Sequence, residues 1–261
     1  MEIQKIAPDA FVVIGDAYDS NTTILINDAQ ALLIETMAIK KDALEMKQFV
    51  ERELLKEVRF IISTHYFSDH LAGLNLFRGA EIIAHKNYAH TFDSERYRSQ
   101  EEKENFAEPT ILISDGMELR WGRFHLHLFY NPGHTMSTLN VDIPEIETIH
   151  VGDTLVGNMV YLSYSSPSMI FGALNEILRR RRQNLISSHL GFRSGKAADH
   201  GLHYLKSLQK QSIAAWQSGS GESILKTELD SCLPEKISGT PFEKIFHKRN
   251  LQSIVDRQLF S

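Results

Sequence analysis

A single cysteine, Cys232, leaves this 261-residue chain without any possible intrachain disulfide. It sits in a polar C-terminal segment, far in sequence from other reactive groups, and reads as a bystander rather than a nucleophile. Long apolar runs are missing too. Nothing approaches the ~18 residues of a membrane span, and Met1-Glu2-Ile3-Gln4-Lys5 lacks the apolar stretch of a secretory leader. A cytoplasmic location is the expectation. Extreme charge is also lacking: 28 Lys and Arg stand against 33 Asp and Glu, for a net charge of −5. The one basic run, Arg179-Arg180-Arg181-Arg182, closes a helix-like segment, where positive charge complements the helix dipole. It reads as a solvated helix end. Nucleic-acid and membrane partners are therefore not expected. A small-molecule substrate is, with homodimerisation left open.

What is present suffices for a core. The hydrophobic fraction is 42%, and the length suits one α/β domain with a helical extension. Apolar runs at 11–14, 23–26 and 31–34 read as strands, with Asp19-Ser20-Asn21 and Asn27-Asp28 as turns. Residues 41–56 show helical spacing, and 58–62 returns to a strand. That strand–helix–strand unit favours a parallel pair with a right-handed crossover. A short helix at 71–77, a strand at 80–84 and a charged helical excursion or lid at 95–104 come next. Further strands are expected at 110–113, 117–119, 124–129, 138–141 and 148–151, with Asp115-Gly116 as a hairpin turn between the first two. Helices at 168–182 and 197–217 flank a strand at 184–187. Ser218-Gly219-Ser220-Gly221 marks a flexible break. The expected division is therefore a main domain over 1–217 and a helical C-terminal extension over 218–261 packed on it. Two halves, each a run of strands followed by helices, suggest two packed sheets with helices outside: an α/β four-layer sandwich.

Four of the expected strand ends carry histidine or aspartate. His65, Asp69 and His70 follow the strand ending at Ser63. His134 follows the strand ending near Phe129, in Asn131-Pro132-Gly133-His134-Thr135. Asp153 follows His150-Val151-Gly152, and His189 follows Ser187-Ser188. Strand-end loops of one sheet lie side by side, so these groups can converge. Imidazole with carboxylate suits zinc, iron or manganese rather than calcium or magnesium cages. The absence of cysteine from the set points to a catalytic rather than a structural ion. His125 and His127 alternate with Phe124, Leu126 and Leu128 and read as a solvated strand face. His85, His90, His200 and His203 have no supporting pattern, and His150 reads as a buried, hydrogen-bonded histidine.

These segments resemble the ligand series of the metallo-β-lactamase fold hydrolases, whose usual signature is HxHxDH. Here Thr64-His65-Tyr66-Phe67-Ser68-Asp69-His70 holds Phe67 where the second histidine would stand. The resemblance covers roughly residues 10–205. It includes Asp115-Gly116, Pro132-Gly133-His134-Thr135, Gly152-Asp153 and His189, with Glu35 in place of the family's usual Asp after the third strand. The tail from Phe242 to Leu251 is similar to those of glyoxalase II-like and quinoprotein-relay-like members. The resemblance implies the αββα sandwich and a metal-dependent hydrolase cleaving a small ester, thioester or lactone-like substrate. It puts His65 and His134 at the first metal position, and Asp69, His70 and His189 at the second. Asp153 would bridge them.

Three occupancies follow: one ion at the second position, two ions with the first weakly held, or a single iron on His65, His134 and Asp153. The last is the triad that persulfide dioxygenases of this fold use, although they keep the histidine lost here. Zinc is the expected cofactor, as one or two ions, with iron or manganese as alternatives. Two alternative functions remain: a mononuclear or dinuclear iron oxygenase or oxidoreductase on the same ligands, and a non-catalytic metal-binding scaffold. In the hydrolytic case the ion lowers the pKa of water from ~15.7 toward ~7. Asp69 would be the catalytic carboxylate, orienting water or passing a proton to the leaving group. Thr135, Ser137 and Thr154 could orient ligands. Met159, Tyr161, Tyr164 and Met169, with Phe67 and Phe192, would line a partly apolar cleft.

Overall fold

The computed structural model describes residues 1–95 and 97–261; Arg96, inside the charged 95–104 stretch, lies outside the described residues. β1 (Glu2–Ala7), β2 (Ala10–Ile14), β3 (Asn21–Asn27) and β4 (Gln30–Ile34) form an antiparallel meander. α1 (Lys40–Gln48) then leads to β5 (Glu57–Ile62), which runs parallel to β4 as the strand–helix–strand spacing predicts. β6 (Glu81–His85), the helices α2 (Tyr88–Ser94) and α3 (Gln100–Glu104), and β7 (Ile111–Ile113) complete a seven-stranded sheet in the order β1-β2-β3-β4-β5-β6-β7. β8 (Gly116–Trp121), β9 (Phe124–Tyr130), β10 (Leu139–Ile143), β11 (Thr148–His150), β12 (Asn184–Ile186) and β13 (Phe192–Ser194) form a six-stranded second sheet in the order β13-β12-β11-β10-β9-β8. α4 (Pro167–Arg180) carries the chain between the parallel strands β11 and β12, and α5 (Lys196–Gln217) and α6 (Pro241–Asp256) follow.

Side-chain alternation sorts these strands into layers. In β4, Leu32 and Ile34 face the second sheet and join a core with Leu126, Leu128, Leu139 and Val141. Ala31 and Leu33 face the opposite way, onto Ala43 and Met46 of α1. A strand buried on both faces reads as a continuous apolar run, and that is why 31–34 shows no alternation. On the far side of the second sheet, Ile149 and Leu185 pack on Ile170 and Leu174 of α4, Leu205 and Leu208 of α5, and Leu251 and Ile254 of α6. The order helix, sheet, sheet, helix is the expected αββα sandwich.

Several expectations change. Asp115-Gly116 is not a hairpin turn. β7 pairs with β6 in the first sheet and β8 pairs with β9 in the second, so the turn carries the chain between sheets. The arginine run is not simply solvated: Arg182 clamps the buried Asp142 of β10 at 2.6 and 3.0 Å, and Arg180 lies 3.6 Å from the same carboxylate. Cys232 is fully buried in the core beneath α5 and α6, and burial pushes its thiol pKa up, so it is a packing residue. Among the described residues no helix is long and apolar enough to cross a membrane.

Candidate metal centre

The centre is assembled where strands end. After β4 the backbone takes positive φ at Glu35 (67°) and Met37 (72°), a conformation costing side-chain-bearing residues about 1–2 kcal/mol. The bend leaves the Glu35 carboxylate fully buried beneath the histidines. β5 ends at Ile62, and a short 3-10 turn, Ser68–His70, presents Asp69 and His70. β11 is followed by the 3-10 turn Gly152–Thr154, which presents Asp153. Gly152 has φ +56°, and a Cβ there would stand 2.7 Å from Thr64 Oγ1; only glycine lets this turn approach the His65 strand end. His189 follows β12, its Nδ1–H donating to the Tyr18 carbonyl (2.8 Å) and so aiming Nε2 inward.

All six sequence-derived candidates meet. His70 Nε2 lies 3.5 Å from Asp153 Oδ2 and 3.4 Å from Asp69 Oδ1. His189 Nε2 lies 3.3 Å from Asp153 Oδ2 and 3.7 Å from Asp69 Oδ2, and His65 Nε2 is 4.0 Å from Asp153 Oδ2. His134 faces His65 with ring centroids 5.0 Å apart. The donors fall into two sets, His65–His134–Asp153 and Asp69–His70–His189, each within 4.8 Å. Ligands 2.0–2.2 Å from a tetrahedral ion stand about 3.4 Å from one another, close to the spacings around Asp153 and Asp69. His65 Nε2, both ring nitrogens of His70 and of His134, and Asp153 Oδ1 are buried without a hydrogen-bond partner. Stranding so many buried polar atoms is costly, and a cation would satisfy one nitrogen of each ring and the Asp153 oxygen. The donor set therefore fits a metal ion.

The electrostatics also call for positive charge. Burial alone would lower the pKa of His70, but Asp69, Asp153 and Glu35 outweigh it and raise it to about 10. His189 is raised in the same way, with Asp153 overcoming the burial penalty. Asp153 is held well below the carboxylate range because His189 and His70 overcome its own burial. His134, farther from the acids, is pushed down to about 4 by burial, and His65 is lowered by burial and by His70. Burial raises Glu35 to about 7 against the pull of His70 and Thr64. Glu35 accepts from Thr64 N (2.7 Å) and from the Thr64 hydroxyl, while its other oxygen lies 3.6 Å from His70 Nδ1. It thus steadies both His65, through Thr64 Oγ1 (3.1 Å from Nδ1), and His70.

A cleft of about 260 Å³ opens over these groups. Phe67, Tyr161, Tyr164 and Phe246 supply aromatic lining, Glu95 and Glu102 carboxylates, and Arg249 is the sole Arg or Lys among the described lining residues. Phe67 fills the side next to His65 and His134, meeting their rings edge-on at centroid distances of 5.4 and 5.2 Å, and leans on Tyr164 at 4.5 Å. Glu95 accepts from the Ser68 N–H (2.9 Å) and hydroxyl (3.1 Å), tying the charged excursion to the ligand turn. Among the described residues of that excursion the helix is α3, capped by the reciprocal Ser99–Glu102 pair.

Other expectations do not hold. Met159 is fully buried in the core, and Phe192 packs on Val12, Ile14 and Ile186; neither lines the cleft, nor does Met169. Thr135 and Ser137 bond within their own turn and to Thr91, and the Thr154 hydroxyl has no partner, so none of the three orients a ligand. His150 accepts the Gly152 N–H at Nδ1 (3.3 Å), as expected of a structural histidine. Glu35, which the resemblance sets in place of the family's usual Asp after the third strand, is placed by the structure as the buried partner of Thr64 and His70 rather than as a donor facing the cleft. Phe246 and Arg249 enter from α6, about 180 residues beyond His65, and nothing in their local pattern pointed to the cleft.

The loop bearing Tyr161 and Tyr164 is anchored to α6. Glu243 accepts from Asn158 N (2.6 Å) and Nδ2 (3.1 Å). Asn250 accepts from Leu162 N (2.7 Å) and donates to Val160 O (2.7 Å), and Arg257 donates to the carbonyls of Leu162, Ser163 and Ser165.

Comparison with known proteins agrees with this geometry. The chain is 25% identical over 139 residues to the type 2 metallo-beta-lactamase of Bacillus cereus, covering 53% of this chain and 52% of that protein. It is 24% identical over 179 residues to the hydroxyacylglutathione hydrolase of Brucella ovis, covering 67% of this chain and 62% of the relative. It thus spans roughly half to three-fifths of these relatives' lengths. The solved structure of the sec-alkylsulfatase Pisa1 from Pseudomonas sp. shares the fold with a TM-score of 0.73 at 14% identity, over 98% of this chain and 50% of that one. The profile of the metallo-beta-lactamase superfamily matches residues 15–200, and the chain, with its strand-end histidines and carboxylates, belongs to that superfamily.

Proposed function

We propose that this protein is a metal-dependent hydrolase holding one divalent ion, zinc in the first instance, on His70, His189 and Asp153, with Asp69 against it and one coordination position left to water. The observation that carries this reading is the 3.3–3.7 Å spacing of these four side chains, beside a first position flanked by the Phe67 ring in place of a third imidazole. Such an ion supplies Lewis acidity, acidifying water and polarising a scissile carbonyl.

The chain's own groups do the rest. Asp69 is the exposed member of the set, its side chain 35% accessible at the cleft floor, and is placed to accept a proton from water and return it to a leaving oxygen or sulfur. Asp153 and Glu35 hold the imidazoles in place. Phe67, Tyr161, Tyr164 and Phe246 exclude water from an apolar substrate body, and Arg249 favours a substrate that carries negative charge. These features support a small ester, thioester or lactone-like substrate.

A second reading rests on the His65–His134–Asp153 set, two histidines and one carboxylate, which suits non-haem iron and oxidative chemistry. Elemental mass spectrometry separates the two, on protein purified without a metal column and dialysed so that only tightly held ions remain. Zinc or manganese near one equivalent, lost in His70→Ala and kept in His134→Ala, is the expected result. Iron lost in His134→Ala would move the assignment to the oxidative reading, and no bound metal would overturn both.

A further inference from the structure

The outer face of the β8–β9 hairpin carries a second donor cluster that the cleft does not use. Phe124, Leu126 and Leu128 of β9 are buried between the sheets, so His125 and His127 point outward together. The antiparallel register sets Glu118 of β8 directly opposite His127 and diagonal to His125. One carboxylate reaches both rings: Oε2 lies 3.2 Å from His125 Nε2, and Oε1 lies 3.6 Å from His127 Nδ1. The imidazole centroids are 4.4 Å apart, and one donor atom from each of the three residues lies within 4.8 Å of the others.

A Glu118–His125 hydrogen bond would explain one of these contacts. The register brings His127 to the other oxygen of the same carboxylate, so the three side chains converge at one point of the outer face. Donors around a tetrahedral ion at 2.0–2.2 Å stand about 3.4 Å apart; the imidazoles lie 3.2 and 3.6 Å from different oxygens of Glu118, and one donor from each residue lies within 4.8 Å of the others. The donors sit on paired strands rather than on loops, so closing onto an ion needs side-chain adjustment only.

We propose that Glu118, His125 and His127 form a surface site for a divalent transition-metal ion of the zinc, nickel and copper class, independent of the cleft. The neighbouring charges select that class. Arg120 stands opposite His125, and Arg182 is held on Asp142, the β10 partner of His127. A hard cation that depends on net negative charge is disfavoured in that company, whereas an ion with strong imidazole preference is not. Two histidines and one carboxylate leave further coordination positions to water. Occupancy would clip β8 to β9 and make the total metal content exceed that of the cleft.

The test is equilibrium dialysis of the full chain against graded Zn²⁺ at neutral pH, with bound zinc read by elemental mass spectrometry. Three proteins are compared: wild type, His125→Ala/His127→Ala, and His70→Ala/His189→Ala. The hairpin variant is expected to lose one equivalent relative to wild type, and the cleft variant to keep that equivalent. Glu118→Gln retains both imidazoles and is expected to shift half-saturation of this equivalent to higher Zn²⁺. Equal zinc uptake by wild type and the hairpin variant at every concentration would overturn the site. So would a cleft variant that binds none, a result that leaves the cleft assignment standing.

Discussion

Asn250 offers the most direct check on how α6 shapes the cleft. Its side chain is fully buried and makes three hydrogen bonds: Oδ1 accepts from Leu162 N, and Nδ2 donates to Val160 O and to the Tyr204 hydroxyl. Asn250→Ala strands the Leu162 N–H and the Val160 carbonyl, each at about 1–3 kcal/mol. It also opens a space about as large as one water, and a water settling there would recover part of the loss. Alanine returns about 0.5 kcal/mol in helix propensity. The expected net loss is about 3 kcal/mol, a large share of the 5–15 kcal/mol typical of whole domains. Urea unfolding followed by far-UV circular dichroism gives the stability, and native-state hydrogen exchange gives the local effect. The Leu162 amide should lose protection more than amides of β4 or β5, because it loses its own acceptor. A loss below about 1 kcal/mol with unchanged Leu162 protection would refute the claim that α6 pins the Tyr161–Tyr164 loop.

Two further outcomes are expected. His247 accepts from Tyr204 at Nδ1 (2.9 Å) and donates from Nε2 to Thr227 O (3.0 Å), and burial depresses its pKa against the weaker pull of that carbonyl. The unfolded chain therefore takes up this proton first, so the contribution is present above the unfolded pKa near 6.5 and is lost as pH falls through the lower folded value. Denaturant midpoints at pH 7.5 and 5.5 should fall further in wild type than in His247→Gln, and an equal fall would remove His247 from the account. Phe67→His replaces an apolar ring packed on Tyr164 with a third imidazole beside His65 and His134. It is expected to cost some stability and raise the tightly bound metal by up to one equivalent; unchanged metal content would mean that Phe67 does not control that position.

Much of the fold was written locally. Period-two alternation and helical spacing involve consecutive residues, so strands β2 to β12 and the α1 crossover could be read directly, whereas the edge strands β1 and β13 could not. The candidate metal centre was legible for the same reason: its six candidate donors follow four buried strands, and neighbouring strand ends lie together. Contacts between distant segments were not legible. Asp115-Gly116 has the turn chemistry of a hairpin, but whether its flanking strands pair depends on which sheet each one joins. Phe192 and Met159 look like cleft residues by composition, yet the layer each strand or loop packs against draws them into cores.

His125 and His127 were assigned to an outward strand face, which holds, but the approach of Glu118 depends on register. Glu35 acquires its role only because two positive-φ residues fold it under His70. Phe246 and Arg249 reach the cleft only because α6 docks on the outer helices. Strand identity and ligand chemistry were thus determined by the sequence itself, because they are properties of adjacent residues. The wall of the cleft, the partners of the histidines and the packing of Phe67 against His65, His134 and Tyr164 were decided by tertiary packing, which sets distances between residues the chain leaves far apart.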